Sequence, residues 1–170
     1  MSMITPDRRG VAQGMAAGLL VAIVALAIGL NTGAIGAPTE TLGAAVAILG
    51  LWAAAAIGNV ARLRFFASAA IGGAVGGDDP PAIRIARAVS QNTVEQAVIA
   101  GFAYAALTYV AGSAGTIALL VGCFSVGRVL FWAGYPRGAA ARAFGFALTF
   151  YPSVLALLVV LVRLVMARLG

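Results

Sequence analysis

Five apolar stretches of membrane-crossing length, divided by short segments that carry almost all the arginines, leave this chain few ways to fold. They run from about Val11 to Leu30, Leu42 to Ala61, Arg84 to Val110, Thr116 to Phe131 and Ala143 to Val162. Each is near the roughly 20 residues that a helix needs to cross a bilayer. The stretches are rich in Ala and Leu and show no alternation at period two, so helices are predicted rather than strands. Open sheets are excluded in lipid, where their edge amides would stay unsatisfied. With 62% hydrophobic and 9% charged residues over 170 positions, a water-soluble domain could not hide this much apolar surface. The expected class is an all-α membrane protein with the lipid bilayer as its main partner.

All 11 basic residues are arginines, and the net charge is +6. They are scattered between apolar runs without a dense patch or interleaved aromatics, so nucleic acid is not an expected partner. Threaded through five spans, Arg8, Arg9, Arg62, Arg64, Arg84, Arg87, Arg128, Arg137 and Arg142 fall on one side. The opposite loops, around Asn31 to Glu40 and Gly112 to Gly115, hold no basic residue, and only Arg163 and Arg168 run against the bias. The bias predicts a cytoplasmic N-terminus and a periplasmic or lumenal C-terminus, and a bacterial inner membrane is the expected location. Asp7-Arg8-Arg9 before the first stretch and Ala34-Ile-Gly after it resemble a secretory signal. The apolar run exceeds the about 7–15 residues of such a core, so a retained span is expected. Within it, the four-residue spacing of Gly14 and Gly18 would let another helix approach closely.

Absent residue types narrow the chemistry. The chain has no histidine, which removes imidazole metal sites, the Ser-His-Asp triad and imidazole acid–base catalysis. No metal site is expected. Cys123 lies in an apolar run without a CxxC partner or cationic neighbours, so buried packing is its expected role. The glycine-rich segment from Gly72 to Asp79 lacks the Gly-Lys-Ser/Thr of a phosphate loop and follows no strand. It reads as a flexible turn, with Asp79 as a helix N-cap and Pro80 at the first helical position, or as a linker that orders over a ligand.

One acidic residue stands inside a span. Glu95 shares a helix face with Arg87 and Gln91 at i, i+4 spacing, with Asn92 at the flank. A carboxylate within the hydrocarbon costs about 2.5–3.5 kcal/mol or more, so Glu95 is predicted to face protein, a cation or a wet pocket. A second constellation follows the fourth span. Arg128, Tyr135 and Arg142 recur at seven-residue intervals, with Pro136 and Gly138 predicted to interrupt the helix. Each of these residues, alone, also fits an interfacial anchor.

Arg87-Ala followed by Gln91-Asn-Thr-Val-Glu-Gln, then Gly127-Arg128, Gly134-Tyr135, Arg142 and Gly145-Phe, resembles the MAPEG family, the membrane-associated proteins in eicosanoid and glutathione metabolism. The resemblance extends from about Thr41 to the C-terminus and includes Ala61-Arg-Leu-Arg-Phe at the end of the second span. It implies a four-helix transmembrane domain over residues 41–170. Residues 1–40 would add a cytoplasmic tail, one extra transmembrane helix and an outer loop. It also implies a homotrimer that binds glutathione between subunits, with Arg84, Arg87, Gln91, Asn92, Glu95, Arg128 and Tyr135 as binding residues. Arg142 matches the position whose arginine stabilises the glutathione thiolate in some members. Arginine forks suit the two carboxylates of glutathione, and an acid suits its ammonium.

Two departures from the family pattern stand out. Arg87 is five residues before Asn92, where four is common, which turns it about 100° round the helix and leaves Gln91 or Arg84 as substitutes. Phe131 occupies a position where tyrosine is common. The expected function is a thiol-dependent transferase or peroxidase acting on lipophilic small molecules, with glutathione as co-substrate. The alternative is a noncatalytic membrane scaffold or lipid-binding protein. A channel is disfavoured, because no pair of broken helices marks a midplane site.

Overall fold

The computed structural model describes residues 6–32, 36–67 and 79–170. Within them the chain forms five long helices: α1 (Pro6–Asn31), α2 (Pro38–Phe66), α3 (Pro81–Ala111), α4 (Ala114–Gly134) and α5 (Ala139–Leu169). All five are long and apolar enough to cross a membrane. They overrun the apolar stretches at both ends. Polar and aromatic residues at the water interface, such as Asp7-Arg8-Arg9 and Arg64-Phe-Phe, continue the helical hydrogen-bond ladder past the hydrocarbon. The protein is an integral membrane protein of the all-α class.

The helix ends have local causes. Pro38 and Pro81 open α2 and α3, where a missing N–H removes nothing the helix needs. The start of α3 corrects the expectation by one residue. Pro80 is the N-cap and Pro81 the first helical position, and the cap makes no side-chain hydrogen bond. The carboxylate of Asp79 accepts from Arg87 instead of from the helix amides. Gly112, at φ 58°, closes α3 in the left-handed conformation that only glycine adopts cheaply. Ser113 then caps α4, its hydroxyl accepting from the Thr116 amide at 3.3 Å and donating to the Gly29 carbonyl at 3.3 Å. As predicted from Pro136 and Gly138, the helix breaks after α4. Tyr135–Arg137 form a single 3-10 turn, and Gly138 at φ 101° turns the chain into α5.

In the bundle, α3, α4 and α5 pack on one another, α2 lies against α3 and α4, and α1 lies against α5 and α4. Tyr104 and Leu107 of α3, Ile117, Leu120 and Phe124 of α4, and Ala156 of α5 form the centre, with Leu49 of α2 and Leu26 of α1 completing it. Buried hydroxyls satisfy themselves on their own helix, Thr93 on the Val89 carbonyl at 2.7 Å and Thr108 on that of Tyr104 at 2.8 Å. Gly127 and Gly145 let α4 and α5 meet backbone to backbone. A Cβ on Gly127 would stand 2.9 Å from the Gly145 carbonyl oxygen. Pro152 is buried within α5, which continues through it. Cys123 is free and only half-buried, less enclosed than its expected packing role required.

Helix α1 uses the predicted small-residue spacing. Gly14 and Gly18 sit on Ala143 and Ala147 of α5, and Gly10, one turn earlier, sits on Ala140. A Cβ on Gly14 would lie 2.9 Å from the Phe144 amide nitrogen, and one on Gly18 would collide with the Ala147 methyl. Gly18→Ala is therefore expected to destabilise the bundle by about 1–3 kcal/mol, the usual cost of overpacking. Ala147→Gly in the same chain is expected to recover part of that loss, since neighbouring sites couple. Unfolding midpoints of the two single variants and the double variant check this, and simple additivity would rule out the contact as the cause.

Candidate functional site

The candidate residues gather at the end of the bundle where α1, α3 and α5 begin, the arginine-rich end. The glycine-rich segment Gly72–Asp78 adjoins this end in sequence and lies outside the described residues. Around Asp79 the chain makes a compact charge cluster. Arg87 donates to Asp79 Oδ2 at 2.8 Å and Arg84 donates to the Asp79 carbonyl at 2.6 Å. The Asp79 side chain is 9% exposed and that of Arg87 49% exposed, so one face of the Arg87 guanidinium stays open. The Arg84 and Arg87 pair thus holds the entry to α3.

Further along α3, Gln91 donates to Glu95 Oε1 at 3.0 Å, and both are exposed together with Arg87. This is the shared face predicted from i, i+4 spacing. Beyond Glu95 the same side of the helix continues into exposed Val98 and Phe102. A carboxylate is therefore displayed on the outer surface of the chain, within a membrane-spanning helix.

Between α2 and α3 lies a groove of about 380 Å³ lined by Arg64, Arg87, Ser90 and Gln91, with Ile57, Val60 and Ala61 as its apolar wall. Arg64 Nε is buried there without a hydrogen-bond partner among the described residues. Two cations and two neutral hydrogen-bonding groups around a concave, half-apolar space make an anion-binding arrangement, with the arginine forks matched to carboxylate. Sequence reasoning missed Arg64. Its position at the end of the second span was absorbed into the charge bias, although Ala61-Arg-Leu-Arg-Phe carried the signal.

Arg128 is placed differently from its neighbours in the seven-residue pattern. It is 1% exposed, inside the bundle, and ties three helices together. Its guanidinium donates to Asn92 Oδ1 of α3 at 2.9 Å and to Thr149 Oγ1 of α5 at 2.6 Å. Its carbon stands 4.6 Å from the Phe131 ring centre and 5.6 Å from that of Phe124. Cation–π contact and two hydrogen bonds replace the missing carboxylate, and Nε is left unbonded. Asn92, at the flank of the Glu95 face, is thereby turned inward.

Tyr135 and Arg142 come together across the 3-10 turn. The Arg142 guanidinium stacks on the Tyr135 ring at 4.1 Å, and that ring meets Phe131 edge-on at 5.4 Å. Phe131 is buried, so the aromatic at this position acts as a wall beneath Tyr135. No hydrogen bond or ion pair among the described residues joins Tyr135 or Arg142 to Arg87, Gln91 or Glu95. The single chain thus presents an α2–α3 portion carrying Arg64, Arg87, Gln91 and Glu95, and an α4–α5 portion carrying Tyr135 and Arg142. Among the described residues no group of three or more Cys, Asp or Glu stands close enough to hold a metal.

A helical bundle immersed in lipid, with arginines, amides and a carboxylate collected at one end, defines an integral membrane protein of the all-α class. A family model, that of the MAPEG family, matches residues 39–165, and the chain belongs to that family. The match covers α2 to α5 and leaves α1 outside it. No curated protein and no solved structure matches the chain.

Proposed function

We propose that the protein is a thiol-dependent transferase or peroxidase that uses glutathione as co-substrate and acts on lipophilic electrophiles arriving through the bilayer. The observation that best supports this is the division of the polar groups into two portions of one chain. Glu95 and Gln91 lie on the outer surface of α3, where lipid would be costly, and Tyr135 with Arg142 lies beyond the 3-10 turn. In a homotrimer the two portions of adjacent subunits complete one another. Arg64 and Arg87 would hold glutathione carboxylates, Glu95 its ammonium, and Arg142 its thiolate, with Tyr135 as platform and hydrogen-bond donor. Arg84 holds the Asp79 carbonyl beside Arg87, and Asn92 is held by Arg128 next to the Glu95 face. The reading places the arginine-rich end in the cytoplasm of a bacterial inner membrane, the C-terminus in the periplasm, and assigns residues 41–170 to the catalytic domain and 1–40 to an added unit.

The direct test is glutathione binding to purified protein, with the thiolate absorbance of the complex read at neutral pH. Bound glutathione with thiolate signal is expected, and no binding overturns the reading. Glu95→Gln is expected to weaken glutathione binding about tenfold or more, the loss of one charge-assisted hydrogen bond, or to loosen the trimer. Unchanged affinity and unchanged oligomer in this variant would exclude the role of Glu95.

Phe131 favours a second reading, a noncatalytic scaffold of the same fold. Its buried ring takes the place where a tyrosine hydroxyl is common in the family. Glutathione that binds but stays protonated would favour that scaffold.

A further inference from the structure

Helix α1 lies outside the family match, so a site it builds with α5 lies partly beyond the matched family fold. The two helices run parallel, and the close contacts at Gly10, Gly14 and Gly18 give way to longer side chains further along. There the helices part around an apolar groove of about 500 Å³, walled by Ile23, Ala27 and Leu30 on one side and Leu155 and Val159 on the other. Its volume falls within the roughly 300–1,000 Å³ of small-molecule sites. Ile23, at its edge, remains 50% exposed, so the groove is open along one side of the protomer.

The groove has a charged end. Arg163 lines it, and among the described residues Arg163 has no carboxylate within 4.0 Å and no hydrogen-bond partner. Arg163 lies about 30 Å along α5 from Arg142, at about 1.5 Å per residue. That span equals the roughly 30 Å thickness of the hydrocarbon, which puts the guanidinium at headgroup level in the leaflet opposite the arginine-rich end. From Leu155 to Arg163 the groove extends about 12 Å, within the depth of one leaflet. It is too far from Arg142 to be the reactive site.

We propose that this groove holds one acyl chain of an anionic phospholipid, with Arg163 paired to the headgroup phosphate. An apolar slot of leaflet depth ending in an unpaired cation is complementary to a chain ending in an anion. The same assignment gives Arg163 a role, although it stands against the charge bias of the other loops.

The test uses the full chain, purified in detergent and exposed to equal amounts of phosphatidylglycerol and phosphatidylcholine with matched chains. Retained lipid is read by native mass spectrometry. The protein is expected to retain phosphatidylglycerol about fivefold over phosphatidylcholine, the share of one interfacial cation. Arg163→Gln, on an exposed position, is expected to remove the preference while leaving retention of lipid. Ala27→Phe, which fills the slot from an exposed position, is expected to abolish retention of both. Equal retention of the two lipids by the unaltered chain, or a preference that survives Arg163→Gln, overturns the proposal. So does an oligomer that falls apart in Ala27→Phe with lipid retention unchanged, which would assign the groove to another copy of the chain.

Discussion

Arg142→Ala is expected to lower turnover by about 10- to 1000-fold, the range for removing one electrostatic stabiliser from a reacting centre. On the proposed function, the cause is a shift in the glutathione thiol. A permanent cation beside sulfur favours thiolate, and without it less of the nucleophile is present at neutral pH. The variant should therefore show a lost thiolate absorbance with glutathione still bound. Tyr135→Phe is a different perturbation. It preserves the ring on which Arg142 stacks at 4.1 Å and removes only a hydroxyl, so affinity should fall more than turnover. Equal thiolate content and equal turnover in Arg142→Ala and the unaltered protein would exclude the mechanism.

The second large effect is expected at Arg128. Arg128→Ala should destabilise the bundle by about 3 kcal/mol, through the cavity it leaves and the loss of donors to Asn92 and Thr149. Arg128→Met should cost much less. It refills the space, although it also leaves Asn92 and Thr149 without their donor. Unfolding titrations in mixed micelles separate the two variants, and equal losses would show that charge rather than packing matters there. Glutathione affinity adds a further distinction. If Arg128 touches the ligand, Arg128→Met keeps stability and loses binding.

The five spans were legible because lipid imposes one demand everywhere, an uninterrupted apolar helix, and composition alone reports it. The face shared by Arg87, Gln91 and Glu95 was legible for the same reason, since it depends on helical spacing within one element. Gly14 and Gly18 signalled a close approach, although α5 as the partner could not be read from spacing. The pattern of Arg128, Tyr135 and Arg142 was legible as a list and misleading as a geometry. Seven-residue spacing carries side chains to one face only along an unbroken helix, and the turn at Tyr135–Arg137 resets the phase. Arg128 consequently points inward and Arg142 meets Tyr135. The link from Asn92 to Arg128 spans two helices and leaves no trace in local pattern. Arg64 was hidden by success of another kind, because the charge-bias rule already accounted for it.

The Gly112-Ser113 connection has a consequence for how the protein is made. Two residues join α3 to α4, too few for either helix to leave the translocation channel far ahead of the other. A lone α4 would leave the Arg128 guanidinium, near the helix end, to reach for the interface without a partner. Arriving as a hairpin, α4 brings that guanidinium to the membrane beside α3, where Asn92 already offers its amide oxygen. The polar pair can thus be matched at the moment of insertion, before α5 has emerged from the ribosome.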